Sequence, residues 1–179
     1  MRRCRLAGLI IPVVAGAAMV ACSGQSPVGL EAVEAPRSAV QALPGTYTLS
    51  FVSSAGRTVT SLPIGSEVRL KAEVRDAFGA PAQSGRVTFE YCSLKGLPPN
   101  DITRADEAPK EACESGVAKW AHLIGVRVTT SGIPLVDFGV VQIPRTVGFR
   151  IRYTGGLASG IASGGASANF TWCPLSGCP

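Results

Sequence analysis

Six cysteines are the residues of this 179-residue chain whose chemistry is easiest to predict. Four of them, Cys92, Cys113, Cys173 and Cys178, form an even set, which in an exported protein indicates two disulfide bonds. Three connectivities exist for four cysteines, and closeness along the chain favours Cys92–Cys113 with Cys173–Cys178. Zinc binding is a weaker alternative, because the short ligand spacing of zinc knuckles is missing. A redox-active Cys173–Cys178 pair is another, although its spacing is longer than in the Cys-x-x-Cys motif.

Few other residues combine into a catalytic or metal-binding motif. His122 is the only histidine, and the sequence places no acid, base or nucleophile beside it. No serine lies in a Gly-x-Ser-x-Gly motif. We therefore predict that the protein is not an enzyme and needs no metal or other cofactor. One acidic stretch could attract calcium, but its spacing matches no calcium loop and a solvated loop is the simpler interpretation; it contains Asp101, Asp106, Glu107, Glu111 and Glu114.

Aromatic side chains could instead provide a platform for sugar rings. The candidates are Trp120, Trp172, Tyr91 and Tyr153. Three of the four fall on the face of a predicted strand that points inward, and large aromatic residues are usually buried in such positions. We therefore expect these residues mainly to build a core.

The first 21 residues have the features of a signal peptide. Three arginines precede an uncharged run over residues 6–21. A membrane-spanning helix needs about 20 apolar residues, and this run is shorter and contains Pro12. The run ends in Met19-Val20-Ala21-Cys22, which resembles the lipobox of bacterial lipoproteins. That resemblance implies removal of residues 1–21 and attachment of lipid to Cys22. An ordinary signal peptide cleaved nearby is the alternative.

Lipidation would place the protein in the cell envelope, attached to a membrane through Cys22. In Gram-negative lipoproteins, Asp directly after the lipidated cysteine resembles a signal for retention in the inner membrane. Here that position is Ser23, so the resemblance favours the outer membrane. Loss of the signal peptide removes three of the 17 basic residues and none of the 12 acidic ones. The mature chain is therefore nearly neutral, and we expect no nucleic acid partner.

The remaining sequence predicts a tether followed by a β-domain. Residues 22–45 are rich in proline and glycine and predict a flexible linker, whereas residues 46–179 predict the folded domain. Apolar and charged residues alternate without a break from Glu67 to Arg75, which indicates a half-buried strand. We predict an all-β, antiparallel sandwich of about seven strands. Further strand patterns lie at residues 46–51, 86–91, 117–128, 135–143, 149–153 and 170–172.

One stretch of this domain is similar to a known family. Residues 65–76, then Phe78-Gly79-Ala80-Pro81, then Gly85-Arg86-Val87-Thr88-Phe89, resemble the bacterial immunoglobulin-like domains of the invasin and intimin type. The resemblance implies a non-enzymatic module for binding, adhesion or spacing. A small carbohydrate-binding module of a polysaccharide-handling system is the alternative function. Two segments depart from the family pattern, and we expect a protein or glycan ligand to bind there: loops 93–116 and 155–167.

Overall fold

A computed structural model describes residues 42–96, 106–155 and 159–178; the predicted signal peptide, Cys22 and most of the predicted tether lie outside these ranges. The described chain forms two packed β-sheets and one short helix. The prediction of an all-β sandwich is confirmed. The elements are β1 Thr46–Ser53, β2 Thr58–Val59, β3 Ser61–Pro63, β4 Glu67–Arg75, β5 Arg86–Ser93, α1 Lys110–Glu114, β6 Lys119–Arg127, β7 Val136–Val140, β8 Arg145–Thr154 and β9 Gly164–Cys173.

The strand order is that of an immunoglobulin-like sandwich. One sheet has the order β2-β1-β4-β7 and the other has the order β3-β9-β8-β5-β6. All pairings are antiparallel except one, because β3 runs parallel to β9. The predicted antiparallel sandwich thus contains one parallel strand pair among its described strands. The chain leaves the first sheet after Val59 and joins the second sheet at Ser61 as β3. There β3 lies at the edge of β9 and runs in the same direction as β9.

The core lies between the two sheets. On β4, Val68, Leu70, Ala72 and Val74 are buried while the intervening charged residues face outward, as the alternation predicts. Phe138 of β7 lies at the centre of an aromatic cluster, with ring centroids 4.7–5.8 Å from those of three residues of the opposite sheet: Tyr91, Phe149 and Trp172. Each fully buried side chain of this size stabilises the fold by about 2 to 3 kcal/mol.

The chain enters the sandwich at one end and leaves the last strand at the other. At the first end, which we call the entry end, Leu43 forms a parallel β-bridge with Ile161. The last residues of the predicted tether are thus part of the domain. At the opposite end, which we call the exit end, Ile64 N–H donates a hydrogen bond to the carbonyl oxygen of Cys173, the last residue of β9.

The glycine- and serine-rich segment is shorter as a loop than the sequence predicts. Gly164 to Ser167 belong to β9 and pair with β8, so this part of the predicted loop 155–167 is a strand. Glycine has a low intrinsic preference for strands. At Gly164, however, the absence of a side chain is what allows the ring of Tyr47 to pack directly against β9. Tertiary packing therefore selects the strand. No helix in the described ranges has the length and apolar character needed to cross a bilayer.

Candidate binding surface

The four cysteines of the domain form the two disulfides that closeness along the chain favours. Cys92 bonds to Cys113 with a Cα–Cα distance of 5.8 Å, and Cys173 bonds to Cys178 with a distance of 5.1 Å. The first bond ties β5 to the short helix, and the second closes a turn at the exit end. Sulfurs engaged in disulfides are not zinc ligands, which removes the zinc interpretation in this oxidised state.

The Cys92–Cys113 disulfide fastens a segment onto the outer face of the five-stranded sheet. We call residues 106–118, which contain α1, the cover. Ala108 N–H donates to the carbonyl oxygen of Cys92 at 3.0 Å, and Gly148 N–H donates to the carbonyl oxygen of Ala108 at 2.8 Å. These bonds join the cover to β5 and β8. The described part of the predicted loop 93–116 is therefore largely docked on the sheet, and residues 97–105 lie outside the described ranges.

Local sequence explains why the cover turns into a helix at this place. Pro109 precedes α1, and proline is favoured at helix starts because it has no N–H to leave unbonded. Gly116 follows the helix with a positive φ of 83°, a conformation that glycine adopts without strain. Beneath the helix, Gly148 has no side chain, and a Cβ there would overlap the backbone of Lys110. This missing side chain allows the helix to lie directly on β8.

Two residues of the acidic stretch with candidate calcium ligands hold the cover in place. The carboxylate of Glu107 lies 3.6 Å from the guanidinium group of Arg145, and both side chains are largely buried. Glu111 accepts hydrogen bonds from the side-chain amide of Asn169 at 2.9–3.0 Å. The bond from Asn169 is the main reason that the pKa of Glu111 is lowered.

The other acids of that stretch also pair with protein groups. Glu114 accepts a hydrogen bond from the Ser167 hydroxyl at 2.9 Å, and Asp106 pairs with Lys95 at 3.3 Å. Asp101 lies outside the described residues. Within the described ranges, no three His, Cys, Asp or Glu side chains are grouped so that they could hold a metal ion.

The half of the outer face that the cover leaves open is rich in arginine. Arg86, Arg127, Arg150 and Arg152 point outward from β5, β6 and β8, since each is next to a residue of its strand that faces the core. We call this surface the arginine face. In the sheet register, Arg86 lies opposite Arg127 on one side and Thr154 on the other. The three strands thereby bring the cations together near the entry end.

One carboxylate serves two of these arginines. Glu90, whose side chain is 10% exposed, lies with one carboxylate oxygen 2.6 Å from both Nε and Nη2 of Arg150. Its second oxygen is 3.9 Å from Arg152, whose side chain is 65% exposed. Arg150 also lies over the ring of Trp120, at 4.5 Å from the ring centre. Arg150 is thus held rigidly, while Arg152 is available to a ligand.

The aromatic candidates divide as the strand pattern predicts. Tyr91, Tyr153 and Trp172 are buried in the core, and Trp120 is half-buried on the outer face beneath Arg150. His122 is exposed and lies on the same face, opposite Glu90 in the register of β5 and β6. None of the three core residues can reach a sugar ring.

A groove runs along the arginine face between β8 and β9. Its volume is about 560 Å³, and it is lined by residues 150–154 and 163–167. The second set belongs to the predicted loop 155–167, so one of the two predicted binding segments contributes to this surface. Across the sheet, Gly125 leaves space that the guanidinium group of Arg86 occupies. The missing side chain of Gly125 thus lets Arg86 lie flat across β6 on this face.

Sequence reasoning did not find the arginine face. The sequence does place Arg86, Arg150 and Arg152 at outward positions of predicted strands. Whether these arginines lie close together depends on which strands are paired, and the sequence pattern does not determine that pairing. Comparison with known proteins adds no assignment: no protein-family model matches the chain, and no match is found among curated proteins.

Proposed function

We propose that this chain is a non-enzymatic lipoprotein of the bacterial cell envelope whose immunoglobulin-like domain binds a ligand through the arginine face. The observation that carries the binding role is the excess of exposed positive charge on one rigid sheet face. Among the described residues, the four arginines share this face with Glu90, whose carboxylate is paired, and with Glu114 of the cover, which contacts Ser167 at the edge of the groove. A disulfide holds the cover beside the face, so the surface is organised before any ligand arrives, which lowers the entropic cost of binding.

The pairing of the cysteines supports the proposed export and anchoring. Stable disulfides are typical of oxidising compartments outside the cytoplasm. Cys92, Cys113, Cys173 and Cys178 are all paired, and Cys4 would leave with the signal peptide. Cys22 is then the one thiol of the mature chain available for a lipid. We favour the outer membrane, because the residue after Cys22 is serine.

The chemistry of the face supports binding rather than catalysis. Arginine stays protonated at physiological pH and so donates hydrogen bonds and positive charge without acting as a base. Within the alternative function, a carbohydrate-binding module of a polysaccharide-handling system, stacking of neutral sugars on Trp120 is less favoured because Arg150 occupies a face of its ring. The resemblance to invasin-type domains agrees with a binding or adhesion role.

The anchor is tested by mass spectrometry of the native protein under non-reducing conditions. We expect a mature N-terminus at Cys22 that carries more than one acyl chain, with both disulfides intact. Multiple chains are expected because a single acyl chain anchors only weakly. A Cys22→Ser variant should lose the lipid and leave the membrane fraction. A native chain that still begins at Met1, or an unmodified Cys22, would contradict the proposed anchoring.

The binding role is tested with cell-envelope fragments from a strain that lacks the protein. The test uses the Cys22→Ser background, in which no lipid anchor can carry the protein into the pellet. In this background the purified protein should sediment with these fragments, and the Arg86→Glu/Arg152→Glu double variant should sediment much less, because it reverses the charge of the face. Arg57→Glu is the matched control, since Arg57 is exposed in the turn between β1 and β2. Equal sedimentation of all three proteins would refute a role for the arginine face.

A further inference from the structure

We propose that the ligand of the arginine face is a linear polysaccharide with about one carboxylate per sugar, such as a polyuronate. This inference rests on the binding role proposed above. It adds the chemical class of the ligand, which follows from the charge, the spacing and the polarity of the residues on the face.

The charge of the face selects an anion. Within the described residues, Glu90 pairs with Arg150, and Lys110 of the cover pairs with both Glu111 and Glu114. The four arginines and Lys110 thus meet three carboxylates, so positive charge remains in excess on this side of the sheet. Guanidinium groups can bind a carboxylate with two parallel hydrogen bonds. On the face itself, one carboxylate oxygen of Glu90 lies 2.6 Å from both Nε and Nη2 of Arg150.

The spacing of the cations selects a ligand with separated charges. Neighbouring strands lie about 5 Å apart, and successive outward residues of one strand lie about 7 Å apart. Arg127 and Arg86 are opposite each other on β6 and β5, and Arg152 lies on β8 opposite Thr88, the next outward residue of β5. Positive charges thus recur at intervals of several ångströms over three strands. This arrangement suits an extended polymer with one charge per unit better than a densely sulfated chain.

The uncharged residues of the groove suit the hydroxyl groups of a sugar. Thr154, Ser163 and Ser167 line it with hydroxyls, and Gly165 leaves backbone accessible. None of the described residues that line the groove is a large exposed apolar side chain. On the described strands that carry the four arginines, the exposed large apolar side chain is Ile124 of β6, at 43%. Phe78, which is 86% exposed, belongs to the turn after β4 instead. Binding to a membrane interface scales with the apolar area that enters it, so one isoleucine contributes little beside the charge of the face.

Four probes distinguish the chemistry in a direct binding experiment. The native protein, kept in neutral detergent, is titrated by calorimetry with polygalacturonate, neutral dextran and dextran sulfate. Vesicles that contain phosphatidylglycerol are tested without detergent, by sedimentation with the full-length Cys22→Ser protein, which has no acyl chains of its own. We expect polygalacturonate to bind, dextran to show no binding, and the affinity for polygalacturonate to fall several-fold when salt rises from about 50 to about 200 mM, since exposed charges are screened over about 10 Å.

Variants locate the site. Arg152→Gln should weaken polygalacturonate binding about threefold to fivefold, and Arg86→Gln/Arg152→Gln about tenfold or more, as expected for exposed ion pairs. Arg57→Gln, in the turn between β1 and β2 of the other sheet, should bind as the native protein does. Because the substituted residues are exposed, thermal unfolding should be unchanged, which separates lost binding from lost folding.

Other outcomes would overturn the inference. Binding of dextran sulfate or of the vesicles without binding of polygalacturonate would assign the face to a different anion. Equal affinity of the native protein and the double variant would place the site elsewhere. If no probe binds, the polysaccharide class is wrong, whereas the proposed anchor and binding role are judged separately by the mass of Cys22 and by sedimentation with envelope fragments.

Discussion

Removal of the Cys92–Cys113 disulfide is expected to destabilise the domain more than removal of the Cys173–Cys178 disulfide. The first bond joins residues 21 positions apart and the second joins residues 5 positions apart. Loop-closure entropy assigns about 3 kcal/mol to the first loop and about 2 kcal/mol to the second at 25 °C. Cys92 is also fully buried beneath the cover, so its truncation to alanine costs about 1 kcal/mol more in lost packing.

Urea unfolding of the Cys92→Ala/Cys113→Ala and Cys173→Ala/Cys178→Ala variants measures this difference. We expect the first variant to lose about 4 kcal/mol of unfolding free energy and the second about 2 kcal/mol. Hydrogen exchange should also accelerate at the amides of Ala108 and Lys110 in the first variant, because the cover is then held by hydrogen bonds alone. Equal losses, or unchanged protection of the cover, would refute the view that this disulfide fastens it to the sheet.

Three further perturbations test how the cover is attached. Gly148→Ala should destabilise the domain by about 1 to 3 kcal/mol, because its methyl group would overlap the backbone at the start of α1. In thermal unfolding, the control Gly125→Ala should destabilise the domain less, because the three nearest atoms to its methyl group belong to a movable guanidinium group. A larger loss of stability in Gly125→Ala than in Gly148→Ala would refute the close contact between β8 and the helix. Arg145→Met should cost about 3 kcal/mol in urea unfolding, because it leaves a buried carboxylate without its cation; a shift near zero would contradict that pairing. The lowered pKa of Glu111 stabilises the folded state above the unfolded-state pKa, and this contribution is lost as the pH falls through the lowered value. The protection factors of the α1 amides, which compare their exchange with the intrinsic rate at each pH, should therefore decrease in acid. Glu111→Gln should remove this decrease, and a decrease that persists in the variant would refute the role of Glu111.

The parts of the fold that could be predicted are those in which one side of a strand is buried. The run from Glu67 to Arg75 alternates because every second side chain enters the core, and its predicted bounds are those of β4. The disulfide pairing was favoured for a related reason, since both bonds join cysteines that are close along the chain. Local patterns suffice wherever the cause of the structure is itself local.

The remaining features depend on tertiary pairing. Three-residue β3 is too short to show a period, and its parallel pairing with β9 follows from the change of sheet after Val59. Gly164 to Ser167 have a loop-like composition but pair with β8. The arginine face arises from the register of three strands, so no single segment of sequence contains it. The cover lies on the sheet because Gly148, a residue distant in sequence, lacks a side chain.

The opposite placement of the entry and exit ends determines how the domain would bear a mechanical load. Both β1 and β9 run from the entry end towards the exit end, and each is paired with an antiparallel neighbour, β4 and β8 respectively. Tension applied between residues 43 and 173 would pull β1 and β9 lengthwise past these neighbours. The hydrogen bonds between β1 and β4 and between β8 and β9 would then be loaded in shear and would have to break at the same time, instead of one after another. Because rupture under force is governed by the unfolding rate, such a geometry slows the loss of the fold under tension.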